Sequence, residues 1–422
     1  MAWKDITAWV PAFCFGYPFV MAWYWMAGGV LHGWIRERHE PAHVDPPKLD
    51  SYPPVSILVP CHNEAEHAEE VLTTLAAIAY PNFEIIAIND GSRDNTGEIL
   101  DRLTERIRQL RVVHLASNQG KSVAMNCGAM VSRHEIIVAT DGDSLVDRHA
   151  VTWFVRRFLC DGTLGALTGN PRIRNRSSVL SKLQVGEYSA IVGLIKRAQT
   201  VFGWVFTISG VICAFRKRAL RDAGWWSPKT LTDDVQVTWN LQLAGWSVAY
   251  EPHALCWILM PETLRGLWHQ RLRWSEGGTQ TAILATPYML HRRYWRCWLI
   301  WGNYMLSILW SYAMLLGIAL WFLLWIPPAV HLVHSTGYPT FSLLPEWWGV
   351  VLIVTYLTQA AISLMLDSRY EGSSLKVLFW QAWYPVFFWM LQACTAAVGL
   401  PKAIMRIYKP RGTWVSPDRG VV

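Results

Sequence analysis

The sequence predicts an α/β domain on a mostly parallel sheet, joined through amphipathic surface helices to an α-helical membrane region. Three observations carry that prediction. From Val55 onward, short β-branched runs alternate with helical patterns, as strands linked by crossover helices do. The runs Ile6–Ile35, Trp298–Ile326, Trp347–Leu366 and Val377–Leu400 are almost uncharged, and each approaches or exceeds the ~20 residues needed to cross a hydrocarbon core. The 422 residues are 52% hydrophobic with a mean hydropathy of +0.18, high for a water-soluble chain.

The first element, residues 1–35, is too long for a signal peptide and has no small-residue cleavage site, so it reads as a retained transmembrane anchor. Arg36, Arg38 and His39 follow it and only Lys4 precedes it, which puts the middle of the chain in the cytosol. Residues 36–54 form a linker whose "EPAHVDPPKLDSYPP" favours an extended tether. Residues 55–260 are the α/β domain: "VSILVP", a helix over 65–78, "FEIIAIND", a helix over 95–109, "RVVHL", a helix over 121–131 and "HEIIVATD". In the second helix Ile99, Leu100, Leu103 and Ile107 share a face, with Asp94 as a cap.

Residues 261–297 have apolar residues at Leu264, Leu267, Trp268 and Leu272, the spacing of helices lying along a membrane surface. Residues 298–400 are the C-terminal transmembrane region. Pro385 marks a kinked or re-entrant segment, which keeps the basic tail, residues 401–422, cytosolic. The "HSTGYPTFSLLPE" loop has no Lys or Arg and is expected outside. The net charge of +7 gathers near the apolar runs, at Arg292, Arg293, Arg296, Lys402, Arg406 and Lys409, which favours anionic lipid over nucleic acid as a partner. Eight scattered cysteines, without metal-ligand spacing, fit a reducing compartment.

Each strand empties into a polar cluster: Cys61-His62-Asn63-Glu64, Asn89-Asp90-Gly91-Ser92, Asn118-Gln119-Gly120-Lys121 and Asp141-Gly142-Asp143-Ser144. Ligands of open α/β sheets bind outside the carboxyl ends of the strands, so these clusters describe one cleft lined by carboxylates, a lysine and backbone amides. Asp141 and Asp143, flanking a glycine, suit a hard divalent cation shared with diphosphate oxygens; the bland alternative is an Asx turn. "QGKS" lacks the glycine a Walker loop needs at Leu115, so an ATPase is excluded, and Lys121 is either a point charge for phosphate or a solvated helix-start lysine. Asp233 and Asp234 open a helix, where acids are favoured by the dipole in any case; the functional reading makes Asp234 a general base. Arg271 and Arg273 in "WHQRLRWSEGG" either snorkel at a bilayer boundary or face the cleft.

In order and spacing, "DGS" at Asp90, "DGD" at Asp141, "TDD" at Thr232 and "QRLRW" at Gln270 resemble the processive, inverting, membrane-bound glycosyltransferases of family 2. These have the Rossmann-like GT-A fold and include the synthases of cellulose, chitin and hyaluronan. "TGNPRIRNRS", "LQVGEYSAIVGLIKRAQ", "EPHALCWILMPETLRGLW" and "WVSPDRG" are most similar to the bacterial branch that makes β-1,6-linked poly-N-acetylglucosamine for biofilms. The resemblance implies a donor, UDP-N-acetylglucosamine, a polysaccharide acceptor, and Mg²⁺ or Mn²⁺ held with the diphosphate at Asp141 and Asp143. It implies Asp90 at the uridine, Asn63 and Glu64 among the substrate-binding residues, and Asp234, beside Asp233, as the base. Lys121, Arg271 and Arg273 would neutralise the departing UDP. Ser209, Gly210, Gln270 and Trp274 would hold the acceptor, and Trp414 would gate the cleft.

A small accessory membrane subunit and indirect control by cyclic diguanylate are further implications, as is a place in the bacterial inner membrane. Two departures stand out. The family's Thr-Glu-Asp is Thr232-Asp233-Asp234, and one span rather than two precedes the domain. Another processive synthase, a single-transfer enzyme acting on lipid and a non-catalytic scaffold are the alternatives. "QRLRW" counts against the second and the intact carboxylates against the third.

Overall fold

The computed structural model of the chain describes residues 3–295, 297–323, 347–371, 377–381 and 385–407. Trp414, Arg296, Lys409 and the "HSTGYPTFSLLPE" loop lie outside the described residues.

Eight strands form one sheet in the order β3-β2-β1-β4-β7-β6-β8-β5. They are β1 (Val55–Cys61), β2 (Phe83–Asp90), β3 (Leu110–Leu115), β4 (Ile136–Thr140), β5 (Leu145–Val146), β6 (Leu164–Ile173), β7 (Ile212–Arg216) and β8 (Ser247–Ile258). The first four are parallel to one another, while β7 runs antiparallel between β4 and β6. The register aligns the strand ends: Cys61 pairs with Asn89 and Asp90 with Leu115, so the turns after these strands open along one edge.

Every residue of β1 is buried, as expected of a parallel strand covered on both faces. On one face Val71, Leu72 and Leu75 of α2 (Ala68–Ala76), Leu100 and Leu103 of α3 (Thr96–Thr104) and Phe154 of a later helix pack on Ile57, Val59 and Ala87. On the other, Ala124, Met125 and Ala129 of α4 (Lys121–Val131) join Leu58, Ile86 and Ile88. The third helix stops before the expected residue 109 because Ile107 closes a turn onto the core, from which the chain enters β3.

The N-terminal run forms one helix, Trp3–His32, about 45 Å long at ~1.5 Å per residue. Among the described residues, three helical stretches are long and apolar enough to cross a membrane: Cys297–Leu320, Trp347–Asp367 and Phe387–Arg406. The N-terminal helix is not among them, its tryptophans, tyrosines and glycines lowering its hydropathy. Pro385 opens a π-helical turn, Pro385–Trp389, before the last helix.

Two expectations change. The linker is no free tether: Trp153 Nε1 donates to His43 O (2.9 Å), Tyr80 Oη to Pro53 O (2.6 Å), and Arg156 pairs with Glu40 (2.7 Å), so the prolines serve a strap laid on the domain. The segment expected to hold several surface helices is dominated by one helix, Leu264–Met289. Its Leu267 packs with Leu183, Tyr356, Ala360 and Phe388, so part of the face assigned to lipid is spent on helices that are themselves apolar enough to cross a membrane.

A buried cluster of charges ties the two regions together. Arg197, fully buried, donates from Nε and Nη2 to Glu37 (2.7 and 3.0 Å) and from Nη1 to Asp367 Oδ1 (2.9 Å). Arg172 of β6 takes the other Asp367 oxygen (2.8 Å), and Tyr370 Oη donates to Glu37 Oε2 (2.6 Å).

Candidate active site

At the ends of β1, β2 and β3 lies a cleft of about 560 Å³ lined by His62, Asn63, Asn89, Gly91–Arg93 and His114–Asn118. Gly91 has φ +59°, and a Cβ there would sit 2.4 Å from the Ser117 carbonyl carbon, so only glycine lets the "DGS" turn approach that loop. His62 Nδ1 donates to Asp90 O (2.8 Å), which leaves Nε2 to accept from Asn118 Nδ2 (3.0 Å). Asn63 accepts from Arg93 N (2.9 Å) and donates its own N–H to Ser92 Oγ (3.0 Å). Asp90 is fully buried, its two oxygens accepting from Gln119 N (2.7 Å) and Gly120 N (2.8 Å). It therefore fixes the loop that launches α4. Glu64 is buried with its N–H on Thr96 Oγ1 (2.8 Å) and its Cγ under Gly142.

Beyond the cleft, Lys121 forms an ion pair with Asp141, while Asp143 accepts from Ser144 Oγ (3.2 Å). Burial lowers the Lys121 amine, but Asp141, Asp233 and Asp234 around it more than offset this and hold it above the ordinary lysine range. Gly210 lies between Lys121 and Asp234: a Cβ built on it would stand 3.4 Å from Lys121 Nζ and 3.6 Å from Asp234 Oδ2. Asp234 sits in the first turn of the helix Asp233–Leu243, its Oδ1 accepting from Val235 N (2.9 Å). Burial, then the Asp233 carboxylate beside it, push its carboxyl up from the usual aspartate range; Lys121 and Arg273 act in the opposite sense.

The Leu264–Met289 helix braces this site. Gly277 meets Thr232 so closely that a Cβ would fall 2.3 Å from Thr232 Oγ1, and Gln280 Oε1 accepts from Leu231 N (3.1 Å). The "TDD" turn thus rests on the helix that carries "QRLRW". Arg273 is exposed and its charge reaches Asp234. Arg271 does not join the aspartates: it is buried against Glu187 (2.6 Å) with Trp274 under its guanidinium, 4.2 Å from the ring centre. Trp274 remains 37% exposed, enough to offer a surface, and Gln270 Oε1 is buried with no hydrogen-bond partner among the described residues.

The structure therefore brings together Lys121, Asp141, Gly210, Asp233, Asp234 and Arg273, with Ser209 adjacent in the chain. Sequence reasoning missed His62, Asn118, Glu187 and Lys196. The first two stand in the polar clusters beside the acids that drew notice. The other two are charges inside the apolar stretch "LQVGEYSAIVGLIKRAQ", an isolation that could have flagged them.

A doubly covered sheet with its carboxylates at the strand ends, seated on helices long and apolar enough to cross a membrane, has the make-up of a GT-A glycosyltransferase. Residues 53–277 match the family described as "Glycosyltransferase like family 2". The chain belongs to glycosyltransferase family 2 and is an enzyme of that family. It is 36% identical over 405 residues to the poly-β-1,6-N-acetyl-D-glucosamine synthase of Staphylococcus aureus, covering 96% of this chain and 97% of the relative. It is 35% identical over 411 residues to the synthase of the same name from Staphylococcus epidermidis. Among solved structures it is similar to the mannosyltransferase of Pyrobaculum calidifontis in complex with GDP-Man and Mn²⁺, at 19% identity and a TM-score of 0.61 over 95% of this chain and 98% of that one. That likeness supports the fold.

Proposed function

We propose that this chain is a processive, inverting synthase of the bacterial inner membrane that extends β-1,6-linked poly-N-acetylglucosamine from UDP-N-acetylglucosamine and feeds it toward export, for a biofilm matrix. One observation carries the reading: Lys121, paired with Asp141, and Asp234 both stand against Gly210, on a site braced by a helix that packs on helices apolar enough to cross a membrane. The sugar and linkage rest on the relatives' names. The cytosolic side for the domain rests on the arginines after the first helix.

The diphosphate of the donor would lie at Asp141 and Asp143 with its nucleoside in the cleft beside His62, Asn63, Asp90 and Asn118. Among the described residues no group of three His, Cys, Asp or Glu could hold a metal by itself. The two hard carboxylates fit Mg²⁺ or Mn²⁺ if donor phosphates complete the shell, as is usual for Mg²⁺. The Lys121 ammonium against Asp141 already marks the position as one for positive charge. Such a cation supplies charge neutralisation to the diphosphate; Lys121 and Arg273 supply the rest. Asp234 takes the proton of the acceptor's primary hydroxyl as that oxygen attacks the anomeric carbon from the face opposite UDP, which inverts the centre in one displacement. Asp233 adjoins the base, Glu64 supports the "DGD" turn, and Ser209, Gly210, Gln270 and Trp274 receive the acceptor sugar, Trp274 stacking on its apolar face.

Arg271 then acts through Trp274 rather than on the diphosphate. Control by cyclic diguanylate through a small accessory membrane subunit, and a Trp414 gate, have only the family resemblance as support. The test is Asp234→Asn in membrane vesicles given labelled UDP-N-acetylglucosamine. No polymer is expected, and appreciable polymer overturns the assignment of the base.

A further inference from the structure

Lys196 opens the helix Lys196–Phe202 and is 5% exposed. Its Nζ donates to Ser209 Oγ (2.8 Å) and Thr168 Oγ1 (3.1 Å), and the Ser209 backbone N–H donates to the same Thr168 oxygen (2.8 Å), closing a triangle of the three residues. The next residue shows what an ordinary buried cation looks like here: Arg197 is paired with both Glu37 and Asp367. Lys196 makes no ion pair of that kind among the described residues. The groups facing it are Thr168 of β6, Ser209 of the acceptor loop, Cys213 of β7 and, at longer range, the Asp234 carboxylate. Asp234 in turn is faced by Asp233, Lys121 and Arg273. A buried amine without an ion pair is costly, and its persistence beside a catalytic cleft calls for a use.

We infer that Lys196 is a positioning residue for the transfer step, its amine holding the Ser209 hydroxyl at the acceptor loop and favouring the ionised form of the base Asp234. Ser209 Oγ accepts from Lys196, so its own O–H remains a donor for an incoming hydroxyl oxygen. The chain brings the amine to the base: Ser209, which Lys196 holds, precedes Gly210, where a Cβ would stand 3.6 Å from Asp234 Oδ2, and there burial, then Asp233, disfavour the carboxylate. Burial brings the Lys196 amine down to about 7, so it is still charged across the acidic range where Asp234 titrates. Its neighbour Arg197, fastened to both Glu37 and Asp367, keeps the helix from carrying the amine away.

This inference rests on the role proposed for Asp234. The test uses the full chain in lipid nanodiscs with Mn²⁺ and UDP-N-acetylglucosamine, following UDP release against pH for the parent, Lys196→Gln and Lys196→Arg. Glutamine keeps a hydrogen bond to Ser209 without the charge, and arginine keeps the charge. The acid limb of kcat/KM is expected to move up by about one pH unit in Lys196→Gln, a tenfold loss at the foot of the limb, and to stay near the parent's in Lys196→Arg, with UDP binding unchanged in both. A limb in Lys196→Gln that coincides with the parent's overturns the inference. So does a limb displaced equally by both substitutions, which would mean the lysine is merely structural. Because UDP release reports transfer whichever sugar is carried, an error in the proposed donor shows in a donor panel and leaves the comparison of limbs intact.

Discussion

Arg271 and Glu187 form a buried ion pair, Nη2 to Oε2 at 2.6 Å, and the same guanidinium lies 4.2 Å from the centre of the Trp274 ring. In this structure the guanidinium that the motif assigns to phosphate is engaged by a carboxylate and an aromatic ring. Removing one member of a buried pair leaves the other uncompensated, at about 3–5 kcal/mol. Glu187→Ala is therefore expected to lower the unfolding midpoint sharply, while Glu187→Met with Arg271→Met recovers most of it without recovering polymer formation. Thermal unfolding and product yield, measured on the same detergent samples, separate the two effects.

Gly210 has room for a methyl group as far as the protein is concerned, since a Cβ would meet Lys121 Nζ and Asp234 Oδ2 at ordinary contact distance. The methyl would occupy the space the acceptor needs. Gly210→Ala is expected to fold and to bind UDP normally, with kcat/KM for chain extension falling about 100-fold, the scale of an ångström's misplacement at a reacting centre.

The raised carboxyl of Asp234 has opposite consequences for rate and stability. Catalysis needs the carboxylate, so the acid limb of the rate profile should lie above the ordinary aspartate value of about 3.9. Stability runs the other way. A folded pKa above the unfolded one stabilises fully below the unfolded value, and that contribution is lost as pH rises through the folded value. Asp234→Asn should thus unfold at a higher temperature than the parent at pH 7, with a smaller gap at pH 4. Equal gaps would contradict the shift.

Lys121 competes with any divalent cation for Asp141. Lys121→Ala is expected to tighten Mn²⁺ binding, read by paramagnetic resonance without nucleotide, while raising the KM for the nucleotide sugar about tenfold through loss of a phosphate contact. Chelation should abolish transfer by the parent, with Mn²⁺ restoring it.

Much of this arrangement is legible in the sequence because the strand-end clusters depend on order alone. Once β1 to β4 are parallel and in register, Asp90, Asp141 and the 118–121 turn must share an edge. The antiparallel β7 and β5 are not legible, since short buried strands carry no mark of direction. Nor is the facing of charged side chains. The arginines of "QRLRW" are two residues apart on a helix and so look in different directions, but which one meets Glu187 depends on where the Val179–Tyr188 helix packs. Lys196 stayed hidden for the same reason: its partners, Thr168 and Ser209, are 28 and 13 residues away in the chain.

The knot of Glu37, Arg197, Asp367 and Arg172 has a mechanical meaning. It joins the chain just after the first helix, the helix Lys196–Phe202, the end of a helix apolar enough to cross a membrane and a strand of the sheet, all away from water. Among the described residues, these buried ion pairs hold the base of the domain to those helices. On the proposed function, a growing chain would then advance past a fixed site, as thread is drawn through a die.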